Sequence, residues 1–147
     1  MNENTFWDKF EEIEIIKEEE YGDLLQAKYK NTQKYIIIKR IDKSKYMNEY
    51  LSEINIMNKF KCENSISLIE SFDTKDYNYI IIDYYLMDLK EYMNKRNEGL
   101  LSSEEIKEIL IQLNNIFINN IDEMNLNLSN IVICLDKLNN NIQINKL

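Results

Sequence analysis

Short alternating runs open this chain. At 13–16 and again at 24–29, apolar or alternating residues flank the polar segment KEEEYGD, which holds the first glycine, Gly22; the pattern predicts two strands and a turn. The run YIIIKRI at 35–41 is β-branched and too short for a helix, so it reads as a buried central strand in which Lys39 stands out against apolar neighbours. Over 46–60 the period changes: Met47, Tyr50, Leu51, Ile54, Met57 and Phe60 recur at helical spacing and share one face, with Glu53 on its flank. SISLIESF at 65–72 and YNYIIIDYY at 77–85 predict two further strands joined by a polar turn at 73–76. A short helix follows near 88–95.

The clearest periodicity begins at Ser102. Ser102-x-x-Glu105 makes a capping box, after which Ile106, Ile109, Leu110, Leu113, Ile116, Phe117 and Ile121 share one face and Ile111 and Ile118 widen it. So broad a stripe belongs to a helix packed on more than one neighbour. NIVI at 130–133 and NIQI at 141–144 read as the two short strands of a closing hairpin. No linker, repeat or second domain interrupts the series, so the chain reads as one α+β domain over 1–147.

Composition narrows the function classes. A chain of 147 residues can bury roughly two-thirds of its unfolded surface, and no apolar run approaches the roughly 18 residues that span a membrane. The N-terminus lacks the charged and apolar regions of a secretory signal, and Cys62 and Cys134 stand isolated; no membrane association and a cytoplasmic, disulfide-free protein are expected. A net charge of -8 disfavours neutralising phosphates with Lys and Arg, so no nucleic-acid partner is expected. Histidine is absent, which removes His-based triads, the usual nitrogen ligands of zinc and the commonest general base near neutral pH. Heavy use of Asn, Ile, Lys and Tyr, with no proline, reads as AT-rich coding, so the missing prolines carry little weight.

Taken in order, these elements resemble the eukaryotic protein kinase fold of the Ser/Thr type, from its first strand to just before the activation segment, over roughly 10–147. The spacing from Gly22 to YIIIK is similar to that from the third glycine of the phosphate loop to the VAIK lysine, and LSEINIMNKF is similar to the family's C helix. SLIESFDTKDYNYIIIDYYLMDLKEYM resembles the family's next two strands, hinge and following helix, and NIVI sits where the loop His-Arg-Asp-Leu-Lys-Pro-x-Asn ends. The resemblance implies an N-lobe with hinge over 10–85, made of a five-stranded antiparallel sheet plus the C helix. The first helices and catalytic-loop hairpin of a C-lobe would then occupy 86–147.

The resemblance also implies a site. Lys39 would hold the α- and β-phosphates of ATP and Glu53 would pair with it. Singly, each has a plainer reading, a lysine snorkelling from a strand end and a solvated helix glutamate; together they favour an ion pair, which could also be purely structural. Against G-x-G-x-x-G the chain has Lys17, Glu19 and Gly22, and side chains obstruct the close approach of backbone N–H groups to phosphate. Glu18, Glu19 and Glu20 add repulsion of about 1 kcal/mol per pair at about 4 Å in water, so an acidic solvated turn is the simpler account. Leu24 replaces the usual valine, and Ile37 replaces the VAIK alanine at a cost of ~1–3 kcal/mol or a displaced ligand. Hinge recognition uses backbone groups around Asp83 to Tyr85 and could survive.

In the catalytic loop Glu123, Met124 and Asn125 take the places of His, Arg and Asp, Asn127 takes that of Lys, and Asn130 keeps the Asn. Asn125 cannot accept a substrate proton as aspartate does, and Asn127 cannot supply the lysine's charge. Lys146 stands where the magnesium-binding Asp would be, and Asn130 alone is a poor magnesium site whose commoner role is a turn-forming amide. ATP and magnesium are thus implied by the family and opposed by these residues. The expectation is a kinase-like domain that is catalytically impaired, a pseudokinase or truncated copy, with a binding or scaffolding role and weak or no ATP binding. The alternatives are a Ser/Thr kinase with residual phosphotransfer and an α+β interaction module. The activation segment and large C-lobe helices would lie beyond Leu147, so a complete chain is expected to meet a protein partner through the 102–121 helix face.

Overall fold

The structure of the protein is a computed structural model that describes residues 3–59, 65–96, 99–119, 128–135 and 142–146, with backbone alone at 4, 115–117, 119, 135 and 142–146. The chain forms two compact units, the first taking in 3–59 and 67–84 and the second 65–66 and the described residues from 85 onward.

The first unit is built on a five-stranded antiparallel sheet. In chain order its elements are α1 (Glu3–Trp7), β1 (Phe10–Glu19), β2 (Gly22–Tyr29), β3 (Tyr35–Asp42), α2 (Met47–Lys59), β4 (Leu68–Asp73) and β5 (Tyr77–Asp83). The strands lie in the order β1-β2-β3-β5-β4. Residues directly opposite in a ladder share a face, so the register sorts the sheet cleanly. Leu24, Lys39 and Ile80 stand on one face with Ile37, Ile41 and Ile82; Leu25, Ile38 and Ile81 stand on the other with Ala27, Ile36 and Tyr79. The isoleucines of β3 at 36, 37 and 38 are all fully buried because both faces are covered.

On the second of these faces lies an aromatic cluster that periodicity could not announce. α1 sets the ring of Phe6 parallel to Phe72 at 4.6 Å and edge-on to Phe10 at 5.2 Å. The Tyr79 hydroxyl donates to Glu3 at 2.9 Å, and burial together with that carboxylate pushes the phenol well above its ordinary range. Lys9 bridges to Glu70 at 3.1 Å. A five-residue helix has no stability of its own; the rings hold it.

Against the opposite face α2 packs on β3 and β4. The single apolar face expected for it is only partly used, since Met57 is buried while Met47 and Leu51 are exposed, Leu51 by 55%. A lone helix on one sheet face buries a narrow strip, and Leu51 falls outside it. Phe60 lies outside the described residues. The strand expected at 65–72 begins only at Leu68, where pairing with Ile82 starts.

The second unit pairs β6 (Met87–Asp88), β7 (Ile131–Leu135) and β8 (Ile142–Lys146) into a small sheet beside α3 (Leu89–Asn94) and α4 (Ser103–Asn119). Its core is Leu89, Ile109, Ile131 and Ile133, with Leu113 packed against them. The broad stripe of α4 is therefore divided: Ile109 turns inward, whereas Ile106, Leu110, Ile111 and Ile118 are exposed. The side chains of Ile116 and Phe117, and Ile121 altogether, lie outside the described residues.

The capping box forms as the sequence predicts. The Ser102 N–H donates to Glu105 Oε2 at 2.8 Å and the Glu105 N–H to Ser102 Oγ at 3.2 Å. Tyr92 and Arg96 also donate to Glu105, and the Ser102 backbone bond leads these in holding its carboxyl down at about 2. The folded value lies below the ordinary 4.5, so this stabilisation is present above that value and is lost as pH falls toward about 2. Ser102→Ala should cost ~1 kcal/mol in chemical melts. Glu105→Gln should be destabilised near neutral pH and should converge on the parent chain as the melts are moved down through that acid range.

Candidate functional site

Lys39 and Glu53 meet. Lys39 sits on β3 opposite Leu24 and Ile80, and its ammonium donates to Glu53 Oε2 of α2 at 2.6 Å, with the two side chains 17% and 24% exposed. A charge-assisted hydrogen bond at that depth contributes ~1.5–3 kcal/mol. Because α2 buries little apolar surface, this bond is a principal tie between helix and sheet. It also holds a cation on the sheet face, where an anion could be received.

The β1–β2 turn is of opposite character. Pairing of β1 with β2 runs up to Glu19 opposite Gly22, which leaves Glu20 and Tyr21 as a two-residue turn. Gly22 adopts φ +151°, and a Cβ there would stand 1.8 Å from the Arg40 carbonyl oxygen of β3. Cross-strand backbone contact, not an open cradle, requires this glycine. Around it stand Glu18, Glu19, Glu20 and Asp23. Lys17 bridges Glu19 at 3.1 Å, and Arg40 pairs with Asp23 while lying over the Tyr77 ring at 5.2 Å. The charge pattern at 18–20 gave no hint of the Asp23–Arg40 pair; counting the hairpin register, which sets these residues opposite one another, would have found it.

The remaining candidates are dispersed. Leu24 and Ile37 are buried core residues of the sheet. Asp83 ends β5 and accepts from Lys34 at 2.8 Å, whereas Tyr85 is buried in the second unit. Asn130 is half-buried at the entry to β7. The backbone of Lys146 pairs with Ile131, while Asn125 and Asn127 lie outside the described residues.

These positions test whether magnesium and a nucleoside triphosphate fit. Lys39 offers one cation, but the hairpin offers carboxylates, and its glycine is occupied by Arg40. Among the described residues no group of three or more Asp, Glu, Cys or His is placed to hold a metal ion. The described residues do not fit the group as a phosphate-binding site.

Comparison with known proteins places the whole arrangement. The model of the Protein kinase domain matches residues 10–144. The chain belongs to the protein kinase family. Cyclin-dependent kinase-like 5 of Mus musculus and of Homo sapiens are each 26% identical to this kinase-family chain over 116 residues, which is 76% of this chain and 12% of the relative. The five-stranded sheet with α2, followed by helices and a hairpin, is the α+β arrangement expected of an N-lobe and the start of a C-lobe. None of the described helices of this family member is long and apolar enough to cross a membrane.

The two structural roles can be separated by substitution. Gly22→Ala should lose more than about 2 kcal/mol in urea melts through the clash with Arg40, whether or not nucleotide is present. Glu53→Gln should lose about 1–2 kcal/mol and raise amide exchange in α2 more than in β5.

Proposed function

We propose that this kinase-family chain is a catalytically impaired, pseudokinase-type domain that works by binding or scaffolding in the cytoplasm, with weak or no affinity for Mg-ATP. The β1–β2 turn carries the reading. Gly22 is committed to its contact with Arg40, and carboxylates surround it where a triphosphate would need donors and positive charge. Repulsion of about 1 kcal/mol per charge pair at about 4 Å in water grows several-fold with partial burial. The sequence supports the same conclusion, with the amides of Asn125 and Asn127 in place of base and cation. Phosphoryl transfer is mostly positioning and electrostatic stabilisation, so losing charge at both ends removes most of what the reaction uses. The exposed Ile106, Leu110 and Ile111 on α4 support a protein partner at the 102–121 face.

A second reading, a Ser/Thr kinase with residual phosphotransfer, is favoured by the Lys39–Glu53 pair, which puts one required cation in place. The chain spans 12% of the length of the curated relatives it matches. Thermal melts in millimolar Mg-ATP separate the readings. Ligand stabilisation follows RT ln(1 + [L]/Kd) and vanishes when the concentration is far below Kd, so no shift is expected. A magnesium-dependent phosphate transfer that Lys39→Ala abolishes would establish the second reading instead.

A further inference from the structure

β1 breaks its own pairing twice. Its register against β2 slips between Glu11 and Glu14 and again between Ile15 and Lys17. Glu12, inside the first slip, has φ 51°, a left-handed conformation that costs a non-glycine residue ~1–3 kcal/mol. The strained residue is pinned on both carboxylate oxygens. The Tyr35 hydroxyl donates to Oε2 at 2.6 Å and Lys28 donates to Oε1 at 3.0 Å.

The slips change what the strand presents. Unbroken alternation would send successive side chains to opposite faces, and one face here is closed by α1 and its rings. Instead Ile13, Ile15 and Ile16 are 42%, 54% and 44% exposed. β1 is also the outermost strand of its sheet and runs for ten residues. Its outer backbone groups pair with no strand among the described residues. A long edge strand with exposed aliphatic side chains is an arrangement that soluble proteins ordinarily suppress. The two slips and the carboxylates of β1 blunt that edge against indiscriminate pairing, so a partner strand has to answer its charge.

Charge selects the occupant. Glu14, Glu18 and Glu20 form no ion pair among the described residues, and Lys17, the strand's one lysine, bridges Glu19. We propose that β1 is a docking edge for an extended segment of a partner protein in which lysine or arginine alternates with aliphatic residues. Such a segment adds a sixth strand, setting an aliphatic side chain against Ile15 on one face and a cation against Glu14 on the other, while Glu18 and Glu20 attract cations at the turn end. A second copy of this chain would bring the same carboxylates and repel. The inference does not depend on whether nucleotide binds.

The test uses the whole chain and a labelled, end-blocked peptide of alternating lysine and valine, followed by anisotropy and by backbone amide shifts. Saturable binding is expected, with shifts centred on β1 and β2. The same peptide N-methylated at the alternate amides that would face β1 should bind about tenfold more weakly because its backbone cannot pair, and an alternating glutamate and valine peptide should not bind. Ile15→Lys should weaken binding about tenfold at an unchanged melting temperature; should that variant fail to fold, Glu18→Lys at the solvated turn end should weaken it about threefold at low salt. Equal affinity for the N-methylated peptide, shifts centred on α4, or undiminished binding by the folded variant would overturn the proposal. Self-association of the chain through β1 would overturn it too, by making a second copy the occupant.

Discussion

The antiparallel register of β2, β3 and β5 is the constraint on which the first unit rests. It sets Ile37 between Gln26 and Ile82 and Lys39 between Leu24 and Ile80, and a slip of one residue would exchange every side chain between faces. With the register fixed, Lys39 is delivered to the face on which α2 packs, and Ile36 and Ile38 to the face that α1 closes. The same register brings Gly22 opposite Ile41 so closely that the Arg40 carbonyl takes the space a side chain would need. Core, ion pair and hairpin thus share one cause.

Family membership and activity rest on different features. Kinase-family membership follows from the match over 10–144 and from the order of elements, whereas chemistry depends on particular groups at a site. The Lys39–Glu53 bond has a sufficient structural reason, because α2 buries chiefly Met57 and needs another tie to the sheet. Gly22 has one as well. The two residues that look most like inherited machinery therefore both serve the fold, and that agrees with a hairpin whose charge opposes phosphate.

Strong periodicity was legible and weak periodicity was not. The β-branched run at 35–41, the helix beginning near 47 and the capping box at Ser102 each carry several concordant residues, and each forms. α1 escaped because five residues show no period and because its stability comes from rings distant in sequence. β6 escaped because two residues cannot alternate. The slips in β1 escaped for a different reason, since the strain at Glu12 is held by Lys28 and Tyr35 on two other strands.

The sequence alone determined the kind and order of the elements, the family they resemble, the uncharged amides at Asn125 and Asn127 and the acidity of the first turn, because all of these are carried by neighbouring residues or fixed spacings. Tertiary structure alone decided which apolar residues are used. It buried Ile109 and left Leu110 in solvent, buried Met57 and left Leu51 exposed, and turned three isoleucines of β1 outward. Amphipathic patterning specifies that a face is apolar, but burial requires a neighbour at the right register and distance. That neighbour is supplied by parts of the chain that local pattern cannot see.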